Sequence, residues 1–251
     1  MNTSSNGYVM GFAIGVCVVI SAALALTANS LKPIQDEAAE LDRQKNVMMA
    51  AGLVSMDQMP SAPELKKLYA ERVKEVVVNT KTGEVLADKS AKDAAQMNKD
   101  AAAADKADKS AANRFRVVAT TLSGGGKLES VVLPISGKGL WSTIYGYLAL
   151  EGDLESVRGV TFYKHGETPG LGGECENPQW CAQWKGKSIR DEQKKLVGIQ
   201  VKKGKVDASI PAEKAHKVDG LSGATITSDG ISRFVLADLT AFEGYLKSLA
   251  K

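Results

Sequence analysis

From Tyr8 to Ala28 the chain reads YVMGFAIGVCVVISAALALTA, 21 residues without a charge. At about 1.5 Å per residue, a helix of this length matches the ~30 Å hydrocarbon core of a bilayer. A cleaved signal peptide is the competing reading, because ALALTANS offers small residues to a peptidase. Against it, residues 1–7 carry no Lys or Arg, and the apolar run exceeds the ~7–15 residues of a signal-peptide core. The pattern predicts a single transmembrane anchor over residues 1–30.

Beyond the anchor the pattern predicts a helical and linker region over 31–113. Residues 31–50 read as helix, continuing or following the span, and MPSAP at 59–63 breaks it. In ELKKLYAERVKEVVV, Leu65, Leu68, Val73 and Val76 fall near helical spacing before a β-rich end, and NTKTGEVL has hairpin character around Thr82-Gly83. Residues 88–113 are rich in Ala, Lys and Asp with little to bury, which fits an exposed helix or a disordered excursion.

From 114 to 251 the periodicity changes to that of a compact domain. RFRVVATTL, SGGGK and LESVVLPI read as strand, turn and strand; STIYGYLALE, GVTFYKHGE and KLVGIQVKKGKVD are further strand candidates. NPQWCAQWKGK predicts a short helix opened by Asn177-Pro178. Ile231, Phe234, Val235, Leu239, Phe242, Leu246 and Leu249 form one stripe on a closing helix. Strands that precede and intersperse helices in this order predict an α+β fold with antiparallel strands rather than a doubly wound sheet.

Composition narrows the function more by exclusion. A net charge of +3, without Lys/Arg runs interleaved with aromatics, gives nucleic-acid binding little support. The three cysteines, Cys17, Cys175 and Cys181, form no CxxC, and there are two histidines. A protein-built metal centre is therefore not expected, and redox chemistry would fall to an organic cofactor. Lys32, Arg43 and Lys45 follow the anchor while none precedes it; the same flank carries Asp36, Glu37, Glu40 and Asp42 and long domains often translocate regardless of charge, so the vote for a cytoplasmic domain is a mild one.

The chain lacks GxGxxG, Walker, HExxH and GxSxG patterns, so no dinucleotide fold or hydrolase is expected. It carries instead three Gly-rich loops, SGKGLWS (136–142), HGETPGLGGE (165–174) and DGLSGATIT (219–227). Singly each is an ordinary turn; together they fit backbone packed against a flat or phosphorylated ligand. The third loop runs into the closing helix, and its Ser and Thr side chains have two readings. They are helix caps, or they mark an anion held at the helix start, for which this loop is the best placed of the three; Thr225 lies at or just before that start. Leu140, Trp141 and Leu171 could offer apolar contact to a ring system. His165 and Glu167 favour a structural or ligand-orienting role over an acid–base pair. Whether Cys175 and Cys181 pair stays open.

The DGLSGAT of 219–225 resembles the flavinylation motif of the FMN-binding family found in the C subunits of sodium-pumping NADH:quinone oxidoreductases. It is similar also to the corresponding subunit of the ferredoxin:NAD-linked (Rnf-type) complex. The resemblance covers nearly the whole chain and includes the single anchor. It implies FMN joined through its phosphate to Thr225, with Asp219, Gly220, Ser222, Gly223 and Ala224 as the context read by a flavin transferase. Leu140, Trp141, Glu167, Thr168, Leu171, Gly172 and Thr227 are the implied further cofactor-binding residues. By the same resemblance, the chain is an electron-carrying subunit, not catalytic alone, of an ion-translocating NADH:ubiquinone reductase. Its partners are the other membrane subunits, and NADH and quinone sites lie on those. The implied location, overruling the charge count, is the bacterial inner membrane with the domain on the periplasmic side. The alternatives are the ferredoxin-linked complex and a non-redox anchored binding domain in which DGLSGAT is a capped helix.

Overall fold

A computed structural model describes residues 5–104, 111–123 and 126–250. Residues 105–110 of the Ala/Lys/Asp-rich stretch and 124–125 of the expected SGGGK turn lie outside it. The chain divides into two units, Met1–Arg43 and Gln44–Lys251. From Asn6 the first is part of helix α1 (Asn6–Ala50), in which Tyr8–Ala28 is helical throughout, as the apolar pattern requires. By length and composition this helix can cross a membrane.

The second unit is built on a six-stranded antiparallel sheet in the order β2-β1-β3-β4-β5-β6. Its strands are β1 (Val73–Asn79), β2 (Val85–Leu86), β3 (Phe115–Leu122), β4 (Leu128–Lys138), β5 (Thr143–Glu151) and β6 (Val157–Lys164). The α+β expectation holds. The sheet also runs across the 113/114 division, since β1 pairs with β3 from Val73↔Thr121 to Asn79↔Phe115. Helix α2 (Ala62–Arg72) starts where MPSAP ends. Its capping box joins Ser61 and Glu64, and Ser61 N donates to Glu64 Oε2 at 3.0 Å. The Ala/Lys/Asp stretch forms α3 (Ala91–Ala104), in which Ala94 is buried. Asn98 fixes this helix to β3 by accepting from Phe115 N and donating to Phe115 O, both at 2.8 Å.

One sheet face carries Val131, Leu133, Ile135, Ile144, Leu148, Val160 and Phe162, all buried in the main core. Against it lies α6 (Thr225–Leu249), whose Ile231, Phe234, Val235, Leu239, Phe242 and Leu246 form the predicted stripe; Leu249 stays exposed. Gly230 makes the approach close, since a Cβ there would sit 2.4 Å from Lys138 O. A buried ion pair fixes the same contact. Arg116 on β3 bonds Asp238 on α6, and also donates to Pro134 O at 2.6 Å. Asp238 in turn accepts from Ser136 N at 2.7 Å. The alternate residues of β6 face the other way. There Thr161 Oγ1 donates to Asn46 O at 3.3 Å; Arg158, left unpaired by the register shift between Val157 and Gly159, joins it, its Nε donating to Ala51 O at 2.6 Å, which holds the last turn of α1 on the sheet.

The remaining elements are short: α4 (Pro178–Ala182), β7 (Gln200–Val201), α5 (Pro211–His216) and β8 (Lys217–Val218). As the sequence indicates, α4 is opened by Asn177, whose side chain accepts from Gln179 N at 2.9 Å. The strand expected over KLVGIQVKKGKVD is corrected to two residues, paired parallel to β8. Its flanks are spent in turns: Val197 N and Gly198 N both donate to Ile189 O, at 2.9 and 3.0 Å, so no ladder extends that way.

Candidate functional site

The three Gly-rich loops meet at the N-terminus of α6. DGLSGAT is held there by bonds to both its side chains and its backbone. Asp219 Oδ1 accepts from Val206 N at 2.7 Å, and Asp219 O from Trp180 Nε1 at 2.8 Å, so the loop start is fixed to the 202–207 turn and to the aromatic core. Gly220 lies against that turn, where a Cβ would come within 2.2 Å of Lys202 O. Leu221 N donates to Ser228 Oγ at 3.2 Å, which bends the loop onto the first helical turn. Gly223 then turns the chain with φ +69°, a left-handed value that side chains disfavour.

The cap reading of this loop fails. The N-cap position is Ala224, with no side-chain cap bond. Ser228 is occupied with Leu221, and Thr227 Oγ1 donates to Glu167 Oε2 at 2.6 Å. Thr225, the first helical residue, is exposed. An uncapped helix start presents its first-turn N–H groups and the positive dipole end to whatever lies beside it. A cavity of about 490 Å³ opens at this point, with Thr225, Ser222, Lys203, Lys205, Asp219 and Asp229 among its lining residues.

The other two loops are joined to α6 through Glu167. Burial raises its carboxyl pKa, but bonds from Thr227 and from the Ser142, Trp141 and Leu140 N–H groups outweigh this and hold it below the usual range. Glu167 N donates to His165 Nδ1 at 3.3 Å, and His165 Nε2 pairs with Glu176 at 3.2 Å. The pair expected to orient groups is thus part of the loop framework. Thr168 O receives Leu171 N at 3.1 Å and Gly173 N at 2.9 Å, turning the loop so that Leu171 faces outward and Gly172 inward. Leu171 Cδ2 would lie 2.9 Å from a Cβ at Gly223, so the second loop touches the third. On the three loops the exposed large apolar residues are Leu140 (45%), Trp141 (68%), Leu171 (43%) and Ile226 (55%).

A family model described as an FMN-binding domain matches residues 139–239, a span that contains all three loops. The C subunit of the Na(+)-translocating NADH-quinone reductase from Pseudomonas aeruginosa is 40% identical, with 100% of this chain and 98% of that protein covered. The chain belongs to the NqrC family, the C subunits of the Na(+)-translocating NADH-quinone reductases. The NqrC of Yersinia pestis is 38% identical over 92% of this chain and 87% of its own length. The crystal structure of Shewanella oneidensis NqrC superposes with a TM-score of 0.69 at 34% identity, covering 85% of this chain and 99% of that one. The NqrC structure from Parabacteroides distasonis gives 0.66 at 25% identity, covering 86% and 96%. As a member of this family, the chain is one subunit of an oxidoreductase complex and carries an FMN-binding domain.

Within this chain the expected site residues divide. Thr225, Ser222, Gly223, Thr168, Leu140, Trp141 and Leu171 are exposed. Asp219 and Gly220 are half-buried, and Ala224, Thr227, Glu167 and Gly172 face inward as framework. Sequence reasoning passes over Ile226, Lys203 and Lys205, although their places beside the motif and in the adjacent KKGK turn are signals. Cys175 and Cys181 are free, with Cys181 Sγ 3.3 Å from Cys175 O; burial pushes both thiols up to about 12.

Proposed function

We propose that the chain carries FMN joined by a phosphoester to Thr225 Oγ1. It would then relay electrons within a sodium-pumping NADH:quinone oxidoreductase. The observation that carries this reading is the exposed Thr225 hydroxyl on the first residue of a 25-residue helix whose cap position is an alanine. A phosphate on that oxygen lies within reach of first-turn N–H groups that have no side-chain cap, where the helix dipole favours negative charge. The surroundings fit the rest of the group. Leu140, Trp141, Leu171 and Ile226 supply apolar surface for an isoalloxazine, and Lys203 and Lys205 stand in the adjoining cavity. FMN, when bound, supplies one- and two-electron chemistry on its ring, which attachment through the phosphate leaves intact. The protein contributes attachment, orientation and field.

In this reading Thr225 is an attachment point, modified by a flavin transferase, and residues 114–251 form the flavin-bearing part. The helix over Tyr8–Ala28 anchors the chain in the bacterial inner membrane beside the other subunits, with the domain on the periplasmic side. The names and coverage of the relatives support the place beside other subunits of a reductase complex. Intact-mass measurement of the full chain, produced with and without the transferase, tests the reading. A gain of FMN less water that needs both the transferase and Thr225, and is lost in Thr225→Val, is the expected result. An unmodified mass in every case refutes it.

A further inference from the structure

Glu167 is 5% exposed, and its oxygens take four hydrogen bonds from two other segments. Oε1 accepts from Trp141 N at 2.9 Å and Ser142 N at 3.1 Å. Oε2 accepts from Leu140 N at 3.1 Å and Thr227 Oγ1 at 2.6 Å. A carboxylate has about four lone-pair sites, so this one is full, and a fifth donor from a ligand would have to displace a protein donor. The junction is also tight. A Cβ on Gly172 would lie 2.7 Å from Thr227 Oγ1 and 2.9 Å from Glu167 Oε2.

Three of the donors are consecutive backbone N–H groups of the loop that presents Leu140 and Trp141. The fourth sits on α6, two residues beyond Thr225. Building on the proposed attachment at Thr225, we infer that Glu167 is a positioning residue that never contacts the flavin. It sets the apolar wall of Leu140 and Trp141 at a fixed place relative to the helix that carries the cofactor. A carboxylate is required because four donors converge on it. In Glu167→Gln the amide oxygen keeps Trp141 N and Ser142 N, and Thr227 Oγ1 can turn to accept from the new amide. Leu140 N, however, then faces another donor, so the wall loses one of its three ties. Thr227→Val cuts the wall from α6 while leaving the loop bonds in place, and Thr227→Ser restores the hydroxyl.

The test uses the full chain, co-produced with the flavin transferase and checked by intact mass and thermal melting. Trp141 emission, read as the difference from a Trp141→Phe background, reports contact between the wall and the flavin, and induced circular dichroism reports ring orientation. Positioning through Glu167 predicts that Glu167→Gln and Thr227→Val keep the FMN mass but lose quenching of Trp141 and flavin dichroism. Thr227→Ser recovers both. Parental signals in both variants, with the adduct present, overturn the inference. A change in Glu167→Gln that Thr227→Val does not share also overturns it, since it would place the carboxylate against the flavin. A parent chain without the adduct removes the underlying reading as well, a result distinct from the other two.

Discussion

Arg116→Met should cost the fold several kcal/mol at neutral pH, and far less in acid. Arg116 and Asp238 are 7% and 8% exposed, and the guanidinium bonds both Asp238 and Pro134 O. Methionine keeps much of the aliphatic bulk but leaves the Asp238 charge with Ser136 N as its remaining donor among the described residues. Burial raises the Asp238 pKa even against the opposing Arg116, so removing the guanidinium raises it further. Without Arg116 the folded pKa rises well above the ~3.9 of an unfolded aspartate. The variant can escape by binding a proton, and at pH 7 that costs at most about 3.1 pH units times about 1.36 kcal/mol, or roughly 4 kcal/mol. This ceiling agrees with the roughly 3–5 kcal/mol found when one partner of a buried pair is removed.

Between the unfolded and the raised folded pKa, the folded variant binds more protons than the unfolded chain, so its stability falls as pH rises through that window. The deficit against the parent is therefore largest near pH 7 and above, and is relieved as pH drops toward about 4. Lost bonding to Pro134 O leaves a residue of about 1 kcal/mol there. Urea unfolding of the full chain in detergent micelles at a series of pH values measures this, with the buried Trp184 as reporter. A deficit below about 1 kcal/mol at pH 7, or one that does not change between pH 4 and 7, would refute the reasoning.

Gly220→Ala should destabilise by about 1–3 kcal/mol, because its Cβ meets Lys202 O at 2.2 Å and the loop must shift; it should also slow FMN attachment, and melting with timed intact-mass measurements checks both. Trp141→Ala, at an exposed position, should change stability by no more than about 0.5 kcal/mol while altering the absorbance and dichroism of bound flavin. Lys202 holds the Glu213 carboxyl down to about 2, so this contribution is present above the unfolded pKa of about 4.3 and is lost as pH falls toward 2. Lys202→Gln should raise the Glu213 pKa toward its ordinary value, read by carboxyl carbon NMR; an unchanged titration would show that Lys202 is not the cause.

The anchor, the central strands and the closing stripe are legible because each follows from a period visible within one segment. The DGLSGAT loop is legible as a motif, and its glycines carry physical meaning, Gly220 for contact with Lys202 and Gly223 for its positive φ. The cap is not legible, because the choice between Ser222, Ala224 and Thr225 depends on where Gly223 turns the chain, which propensity cannot locate. Glu167 and Thr227 look like cofactor contacts because they sit in the right loops. Their mutual bond spans 60 residues and leaves no local trace. The same holds for Arg116 and Asp238, 122 residues apart. Nor does alternation in VKEVVVN reveal that its strand pairs beside β3 across an Ala-rich helix.

The alanine at the start of α6 also bears on the life of the protein before it is loaded. A side-chain cap is commonly worth about 1 kcal/mol, and a well-placed anion at a helix N-terminus up to about 2 kcal/mol. With Ala224 in that position, a phosphoester on Thr225 would supply locally what the sequence omits. The unmodified chain would then be the one whose first turn frays, opening the acceptor loop to the modifying enzyme and to proteases alike. Maturation would close that opening, and the surviving pool would be enriched in subunits able to carry electrons.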